Sequence, residues 1–173
     1  MPKLANKKPV PVEQRIFSKN FKAARLAAGL TQQQVHAVTR IGQAHLSDVE
    51  RQIANVGIDT MSKLSHAVKI PLYYLLQPDF ERTYDFSNPS IWLNYTQHIE
   101  ESDRISYERK VFIRNFIKAR LASKLRKKDL TALADISNDF LIDFERGEVG
   151  ISLNKASKLA QVVAQPLYVL LQP

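Results

Sequence analysis

The hydrophobic residues of the first half of the chain recur at helical spacing. A first apolar stripe is followed by the segment AAGLT, in which Gly29 can end one helix and Thr31 can cap the next. The pattern then predicts short helices over residues 32–38 and 43–51, a helix in MSKLSHAV, and a last helix opened by Pro71. No segment keeps the alternation of apolar and polar residues that a half-buried strand requires. The members of the first stripe are Phe17, Phe21, Ala24 and Leu26.

The same pattern occurs twice along the chain. Residues 10–78 align without a gap with residues 105–173 after a shift of 95 positions, and 26 of the 69 aligned pairs are identical. Two unrelated helical segments would not agree over this length, so the sequence predicts two modules of one fold. The predicted divisions are an N-terminal arm (1–9), a first module (10–78), a linker (79–104) and a second module (105–173).

The linker carries a helical stripe of its own. Ser87 or Asn88 can cap a helix that has Pro89 in its first turn. An apolar stripe of this kind needs something to cover it. We favour packing against one of the modules, and the alternative is a dimer contact. The stripe is formed by Trp92, Tyr95 and Ile99.

Composition and charge narrow the class of protein. The chain has 45% hydrophobic and 24% charged residues, as expected of a chain that folds, and it has no cysteine for a disulfide or a thiolate site. Its net charge of +8 divides into +7 for residues 1–78, −4 for residues 79–104 and +5 for residues 105–173. Two basic blocks around an acidic connector favour a polyanionic partner such as nucleic acid, although such a charge also keeps a protein soluble.

The sequence lacks the motifs that are typical of several classes of protein. The N-terminus has no apolar segment behind its lysines, and no later run has the length of a membrane span. The sequence shows no glycine-rich phosphate loop, no histidine and carboxylate set at metal-ligand spacing, and no nucleophile paired with a base. We therefore expect a cytoplasmic protein that is not an enzyme, has no cofactor or metal, and does not bind membranes.

A motif in the first module points to a known family. The segment GLTQQQVHAVTRIGQAHLSDVER begins with Gly-Leu-Thr-Gln, passes through a short turn and closes on Glu-Arg. It resembles the helix-turn-helix of the lambda repressor and Cro-like family, also called the XRE family. The resemblance implies an all-α fold of two tandem five-helix domains of the lambda-repressor type, joined by a partly helical linker. The second module carries the pattern through Leu130, Leu133, Ala134, Ile136, Ser137, Leu141, Glu145, Arg146 and Gly147.

The resemblance also implies a rigid corner between the two motif helices. Arg25 with Glu50, and Arg120 with Glu145, resemble the ion pair that ties the first helix of the family to the end of its recognition helix. Such a pair fixes orientation more than it adds stability. The second motif helix can then project one face into a major groove about 12 Å wide. The residues expected to lock the corner are Val35, Val38, Ile41 and Leu46.

By the same resemblance, the recognition helix presents its first exposed residues to base edges. Gln can hydrogen-bond an adenine edge with two bonds, Ala can contact a thymine methyl group, and Ser can bond either kind of edge. The expected DNA contacts on the motif are Gln32, Gln33, Arg40, Gln43, Ala44, His45, Ser47 and Asp48. The cations expected to contact phosphate are Lys19, Lys22 and Arg40, with Lys3, Lys7 and Lys8 of the arm.

The chain departs from the family pattern at three places. The usual Gly of the turn is Arg40 in the first module and Asp135 in the second, and Asp tolerates a left-handed backbone better than Arg does. The usual Ala of the second helix is His36 or Thr131, which predicts a slightly wider spacing of the helices. The usual Gly after Glu-Arg is Gln52 in the first module.

The second module keeps the frame and changes the reading face. Asp139 and Asp143 repel phosphate, and two apolar side chains are expected to be exposed there. Two roles stay open, a weak phosphate clamp and a contact with a protein partner through Phe140 and Ile142, and we favour the second. The residues concerned are Arg126, Lys127 and Lys128 at the start of the second helix, and Asn138, Phe140 and Ile142 on the altered face.

The sequence therefore predicts a sequence-specific, DNA-binding transcriptional regulator of the bacterial or phage repressor type, with the first module reading double-stranded DNA. A homodimer or a protein partner is expected through the second module and the linker helix. In a variant, both modules bind DNA and the chain acts as a covalent pseudo-dimer. The alternative from another class is an interaction protein, antitoxin-like or regulator-sequestering, with vestigial helix-turn-helix domains.

Overall fold

The computed structural model describes residues 10–99 and 105–173, and helices are the main secondary structure of that part. That part contains twelve helices and no β-strand, which confirms the predicted all-α fold class. None of these helices is long and apolar enough to cross a membrane. The lysines expected in the N-terminal arm lie outside the described residues.

Five helices form the first half of the chain. They begin and end close to the local signals in the sequence, since Gly29 is left-handed after the first helix and Pro71 precedes the fifth. The helices are α1 (Val12–Ala27), α2 (Gln32–Thr39), α3 (Gln43–Glu50), α4 (Ile58–Val68) and α5 (Leu72–Leu75). The linker adds two short helices, α6 (Phe80–Thr83) and α7 (Ser90–Thr96).

Five further helices follow at the same spacing. Each begins 95 residues after its counterpart in the first half, so the second half repeats the helix order of the first. These helices are α8 (Tyr107–Ala122), α9 (Lys127–Ala134), α10 (Asn138–Glu145), α11 (Leu153–Val162) and α12 (Leu167–Leu170).

The backbone repeats as closely as the helices do. Within the described residues, every left-handed residue of the first half has a left-handed counterpart 95 positions later. Only two of these residues are glycines that adopt such a backbone without steric cost. The four pairs are Gly29 with Lys124, Arg40 with Asp135, Gln52 with Gly147, and Lys69 with Ala164.

Two residues expected on the apolar face point to solvent instead. Val38 is 70% exposed, so the prediction that it locks the corner was wrong. Leu26 is 58% exposed, so the prediction that it belongs to the first apolar stripe was wrong as well. Next to Val38, Thr39 turns inward and its hydroxyl donates to the Val35 carbonyl at 2.7 Å. At the end of α1, Arg25 rather than Leu26 takes the inward position. The remaining core residues of the first half include Phe17, Phe21, Val35, Leu46, Val49 and Leu64.

The two halves pack against each other with the symmetry of a dimer. Helix α4 contacts α8, helix α1 contacts α11, and helix α5 contacts α12. Because α11 and α8 are the counterparts of α4 and α1, the first two contacts are the same contact made twice. Gly57 and Ser152, which are also counterparts, pair in an isolated antiparallel bridge between the halves.

The linker helix α7 packs within the chain. The Trp92 ring lies 5.2 Å from that of His66, and the Tyr95 ring lies 6.1 Å from Tyr73 and 5.7 Å from Tyr107. Asn88 and Pro89 precede the helix, and the Asn88 side-chain oxygen accepts the Ser90 amide at 3.1 Å. Ile99 follows the end of α7 rather than extending its stripe. Of the two interpretations of the linker stripe, the contacts favour packing against the modules.

Candidate nucleic-acid interface

The corner between α2 and α3 is held by local hydrogen bonds. Thr31 and Gln34 form a capping box at the start of α2, with the Gln34 amide donating to Thr31 Oγ1 at 3.1 Å and the Thr31 amide donating to Gln34 Oε1 at 2.8 Å. Across the turn, the His36 Nδ1 lies 2.9 Å from the Ile41 carbonyl and donates to it when that nitrogen carries the proton. His36, which stands where the family usually has Ala, therefore adds a hydrogen bond that ties α2 to the turn.

A buried ion pair joins α1 to the end of α3. The Arg25 guanidinium contacts both oxygens of the Glu50 carboxylate, at 2.5 and 3.0 Å, and donates to the Leu30 carbonyl at 2.6 Å. Only 10% of the Arg25 side chain and 6% of the Glu50 side chain are exposed. Gln32 also donates to Glu50, at 3.0 Å. The Glu50 carboxylate thus holds the start of α2 and the end of α3 in place relative to α1.

The first turn of α3 is the exposed part of the candidate reading face. Gln43, Ala44 and His45 are exposed, whereas Ser47 and Asp48 one turn later are half-buried. Asp48 is paired with Arg51 at 2.6 Å. No side chain caps α3, because its N-cap residue is Gly42 and makes no such bond.

The other predicted contacts divide into exposed and engaged residues. Gln33, Arg40 and Lys22 are exposed, and Arg40 adopts the left-handed backbone with φ of 62°. Gln32 is half-buried and engaged with Glu50. Lys19 lies 3.5 Å from Glu81 of the linker, so an acidic residue already faces it.

The second half repeats the ion pair with poorer geometry. Arg120 Nε and Glu145 Oε1 lie 3.2 Å apart but are not aligned as a hydrogen bond. Lys127 takes the place of Gln32 and contacts the other oxygen of Glu145 at 2.9 Å. At the start of α9, Arg126 pairs with Asp129 at 3.1 Å. Two of the three cations predicted at this helix start are therefore engaged within the chain, and Lys128 is exposed.

The altered face of α10 is less exposed than the sequence indicates. Phe140 is half-buried, stacks on Phe144 with ring centroids 6.1 Å apart, and has the Lys155 ammonium 4.0 Å from its ring centre. Ile142 is half-buried as well. The expectation of two exposed apolar groups was therefore wrong, because α11 supplies a side chain that covers one of them. Asn138 and Asp139 are the exposed residues of this first turn.

A polar cluster at the boundary between the halves was not predicted from the sequence. Glu108 is 1% exposed and accepts bonds from Ser62 at 2.5 Å and Tyr95 at 2.8 Å, with His66 Nε2 at 2.7 Å. Burial acts to raise the pKa of Glu108, but the bond and charge of His66 and the Ser62 hydroxyl outweigh it and hold the pKa below its usual value. Burial beside this carboxylate raises the pKa of Tyr95. The only hint in the sequence is that Glu13 and Glu108 are counterparts.

Within the described residues, no group of three or more histidines and carboxylates is placed to hold a metal ion. The corner, its exposed first turn and its buried ion pair form the site that the geometry offers.

The match to a family model covers the corner described above. Residues 21–75 match the family described as Helix-turn-helix. The chain is also similar to the crystal structure of the hypothetical transcription factor NHTF from Neisseria, with 24% identity over 43% of this chain and 90% of that one, and a TM-score of 0.38. No curated protein shows significant similarity to the chain. Residues 21–75, which include the corner between α2 and α3, are thus similar to the helix-turn-helix family.

Proposed function

We propose that the protein is a cytoplasmic, sequence-specific regulator of transcription that binds double-stranded DNA through the helix-turn-helix of its first half. The observation that carries the proposal is the exposed first turn of α3 on a helix whose far end is held by the buried Arg25–Glu50 pair. A rigid helix with an exposed polar turn is what reading base edges in a major groove requires. The match of residues 21–75 to the helix-turn-helix family supports it.

The chemistry of the face suits base recognition. Gln43 can bond an adenine edge through both the oxygen and the nitrogen of its side-chain amide, and Ala44 can contact a thymine methyl group. The uncapped amides at the start of α3 can donate to an anion, with the partial positive charge of the helix end behind them. Lys22, Gln33 and Arg40 are the exposed candidates for phosphate contacts.

For the second half, we propose a second helix-turn-helix copy that has lost the reading role. Its helices and left-handed residues repeat those of the first half, which supports a duplicated fold. Its exposed turn holds Asn138 and Asp139, and a carboxylate there repels phosphate. The covered ring of Phe140 also disfavours the contact with a protein partner that the sequence suggested.

The repeat supplies a matched control for the test. Gln43→Ala and Asn138→Ala remove the side chain at the same position of α3 and α10, and Ser47→Ala and Ile142→Ala do so one turn later. The Gln43→Ala change should weaken binding to the preferred sequence by about 1 to 3 kcal/mol, with little effect on other sequences. The Asn138→Ala change should leave both affinities unchanged.

The measurement is a titration of labelled duplexes at several salt concentrations. Binding to the preferred site should weaken as salt rises, because phosphate contacts release counterions. Equal affinity of the wild type and the Gln43→Ala and Ser47→Ala variants for all duplexes would rule out reading by α3. Absence of salt-sensitive binding, together with a stoichiometric protein partner, would favour the interaction protein instead.

A further inference from the structure

The two halves meet as two subunits of a symmetric dimer would. The Ile58 amide donates to the Ile151 carbonyl at 3.0 Å, and the Leu153 amide donates to the Val56 carbonyl at 2.7 Å. Ile58 and Leu153 are counterparts, as are Val56 and Ile151, so one hydrogen bond is the symmetry mate of the other. Such a self-complementary pattern is the mark of an isologous interface. In this protein it is formed within a single chain.

One side of this interface carries a charge pair in which Arg109 is buried and the Asp59 side chain is 40% exposed. Asp59 of the first half accepts from Ser106 at 2.6 Å and from the Arg109 guanidinium at 2.6 Å, and both donors belong to the second half. Arg109 is 7% exposed and also donates to the Gly147 carbonyl at 3.2 Å. Gly150 leaves room for the pair, since a Cβ at that position would lie 3.3 Å from the guanidinium.

The buried carboxylate Glu108 lies on the same side. It belongs to the second half, and its partners Ser62 and His66 belong to α4 of the first half. Tyr95 of the linker helix provides a further hydroxyl at 2.8 Å. A group so completely buried is tolerated as an anion only when donors surround it, and α4 and α7 supply them here.

The other side of the interface has the same backbone and no such pairs. The counterparts of Ser106, Arg109 and Asp59 are Pro11, Gln14 and Asn154, of which none is charged. Asn154 Oδ1 and Ser157 Oγ are buried without a hydrogen-bond partner in the described part of the chain. A cavity of about 490 Å³ lies there, between the start of α1 and helix α11. The backbone of the interface is therefore symmetric, but the ion pair between Asp59 and Arg109 occurs on one side only.

From this asymmetry we infer that the interface is specific for pairing a first half with a second half, and that the chain is a monomer. Two first halves would place Asp59 against Gln14, and two second halves would bury Arg109 against Asn154 without an anion. A buried cation that loses its partner is strongly unfavourable, so the pairing of two second halves is rejected, and the pairing of two first halves lacks the ion pair that unlike halves form. The 26-residue linker keeps the unlike halves at high effective concentration, which disfavours exchange between chains.

This inference has a consequence that rests on the proposed function. A chain that already occupies its own dimer surface meets DNA as one molecule with one reading helix, α3. Its binding site then contains one half-site read by base contacts, without the inverted repeat that a symmetric dimer requires. The inference about the interface itself does not depend on DNA binding.

The first test is the mass of the free chain by sedimentation equilibrium from about 1 to about 100 µM. We expect 19.7 kDa throughout that range. A mass that rises with concentration toward twice this value would overturn the inference.

The second test makes the two sides of the interface alike. The Asp59→Asn and Arg109→Gln changes together give each half the residue that its counterpart carries. Without the charge discrimination, this variant should self-associate at least about tenfold more tightly than the wild type. The control is Asp79→Asn with Arg82→Gln, which removes an exposed pair of the same charges and should leave the chain monomeric. Equal mass and equal stability of the two double variants would overturn the directional role of Asp59 and Arg109.

The third test is the mass of the complex between the wild-type chain and a duplex that it binds. One chain per duplex is expected, and two chains per duplex would overturn the inference that one molecule suffices. A failure to bind any duplex would reject the proposed function and leave the free-chain mass to decide on the interface.

Discussion

Gly57 and Ser152 occupy the same position in the two halves of the chain and pair with each other across the boundary between them. A Cβ at Gly57 would lie 3.2 Å from the Ile151 carbonyl oxygen, so the close approach depends on the glycine. The bridge fixes the loop that follows α3, while the Arg25–Glu50 pair fixes the end of α3 itself. The second half therefore helps to set the orientation of a helix that belongs to the first.

The two ion pairs of the motif should differ in their contribution to stability. We expect Arg25→Ala to lower the free energy of unfolding by about 3 to 5 kcal/mol, since Glu50 is left buried with only the uncharged Gln32 beside it. The matched change Arg120→Ala should cost less, because Lys127 stays 2.9 Å from Glu145. Urea unfolding of both variants measures the difference. Equal losses would contradict the role assigned to Lys127.

Gly147 should be hard to replace, for two separable reasons. Its φ of 77° is unfavourable for alanine by about 1 to 2 kcal/mol. An added Cβ would also lie 2.5 Å from Cδ1 of Ile105. The first half avoids this contact with Val10 opposite Gln52, since valine has no Cδ1.

The Gly147→Ala change should therefore destabilise the protein by the backbone cost together with the smaller cost of turning Cδ1 of Ile105 aside. Adding Ile105→Val should recover part of the loss, as valine removes the contacting atom. A double-mutant cycle on unfolding free energies measures the coupling. Strict additivity of the two changes would contradict the steric account.

Local signals were sufficient to predict the five helices of the first half and the turn of the motif, but not the short linker helix α6. Gly29, Thr31 and Pro71 act on their immediate neighbours, so their effects can be predicted without knowledge of the fold. The choice between Val38 and Thr39 was not local in this way. Both positions suit an amphipathic helix, and the packing of α2 against α3 and α4 places Thr39 inward, where its hydroxyl donates to the Val35 carbonyl.

The contacts between the two halves could not be predicted from the hydrophobic pattern of the sequence. Glu108 and Arg109 begin a helix, where charged residues are normally assigned to solvent. They are buried because their partners Ser62, His66 and Asp59 come from a part of the chain more than 40 residues away. Hydrophobic periodicity carries no information on such partners, which only the packed structure brings together.

We expect Arg40 to lower the free energy of unfolding and to strengthen DNA binding. Its left-handed backbone favours Asn over Arg, so Arg40→Asn should raise the free energy of unfolding by about 0.5 to 1 kcal/mol. Loss of the cation should weaken binding to all duplexes alike and lower the salt dependence by about one phosphate contact. Thermal unfolding and a salt titration of binding test the two effects. An unchanged salt dependence would remove Arg40 from the set of phosphate contacts.

The lowered pKa of Glu108 predicts a loss of stability in acid. Its pKa in the folded protein lies below that of the unfolded chain, which is about 4.3. The stabilising contribution is therefore complete above that value and is lost as the pH falls through the folded pKa. The groups that face the carboxylate are Ser62 and His66 from α4 and Tyr95 from α7.

The measurement is the difference in unfolding free energy between the wild type and Glu108→Gln as a function of pH. The difference should shrink as the pH falls below about 4, where the carboxyl group takes up a proton first in the unfolded chain and then in the folded protein. At neutral pH, Glu13→Gln serves as the control at the equivalent position, and it should cost less because Glu13 is only half-buried. A difference that grows as the pH falls would contradict the assigned direction.

The most direct test of DNA reading by α3 is selection of bound sequences from random duplexes with the full chain. We predict enrichment of one short site without an inverted repeat. Selection with Gln43→Ala should lose the preference at one or two of its positions, whereas selection with Asn138→Ala should return the wild-type site. No enriched sequence, or a site that changes with Asn138→Ala and not with Gln43→Ala, would contradict the account.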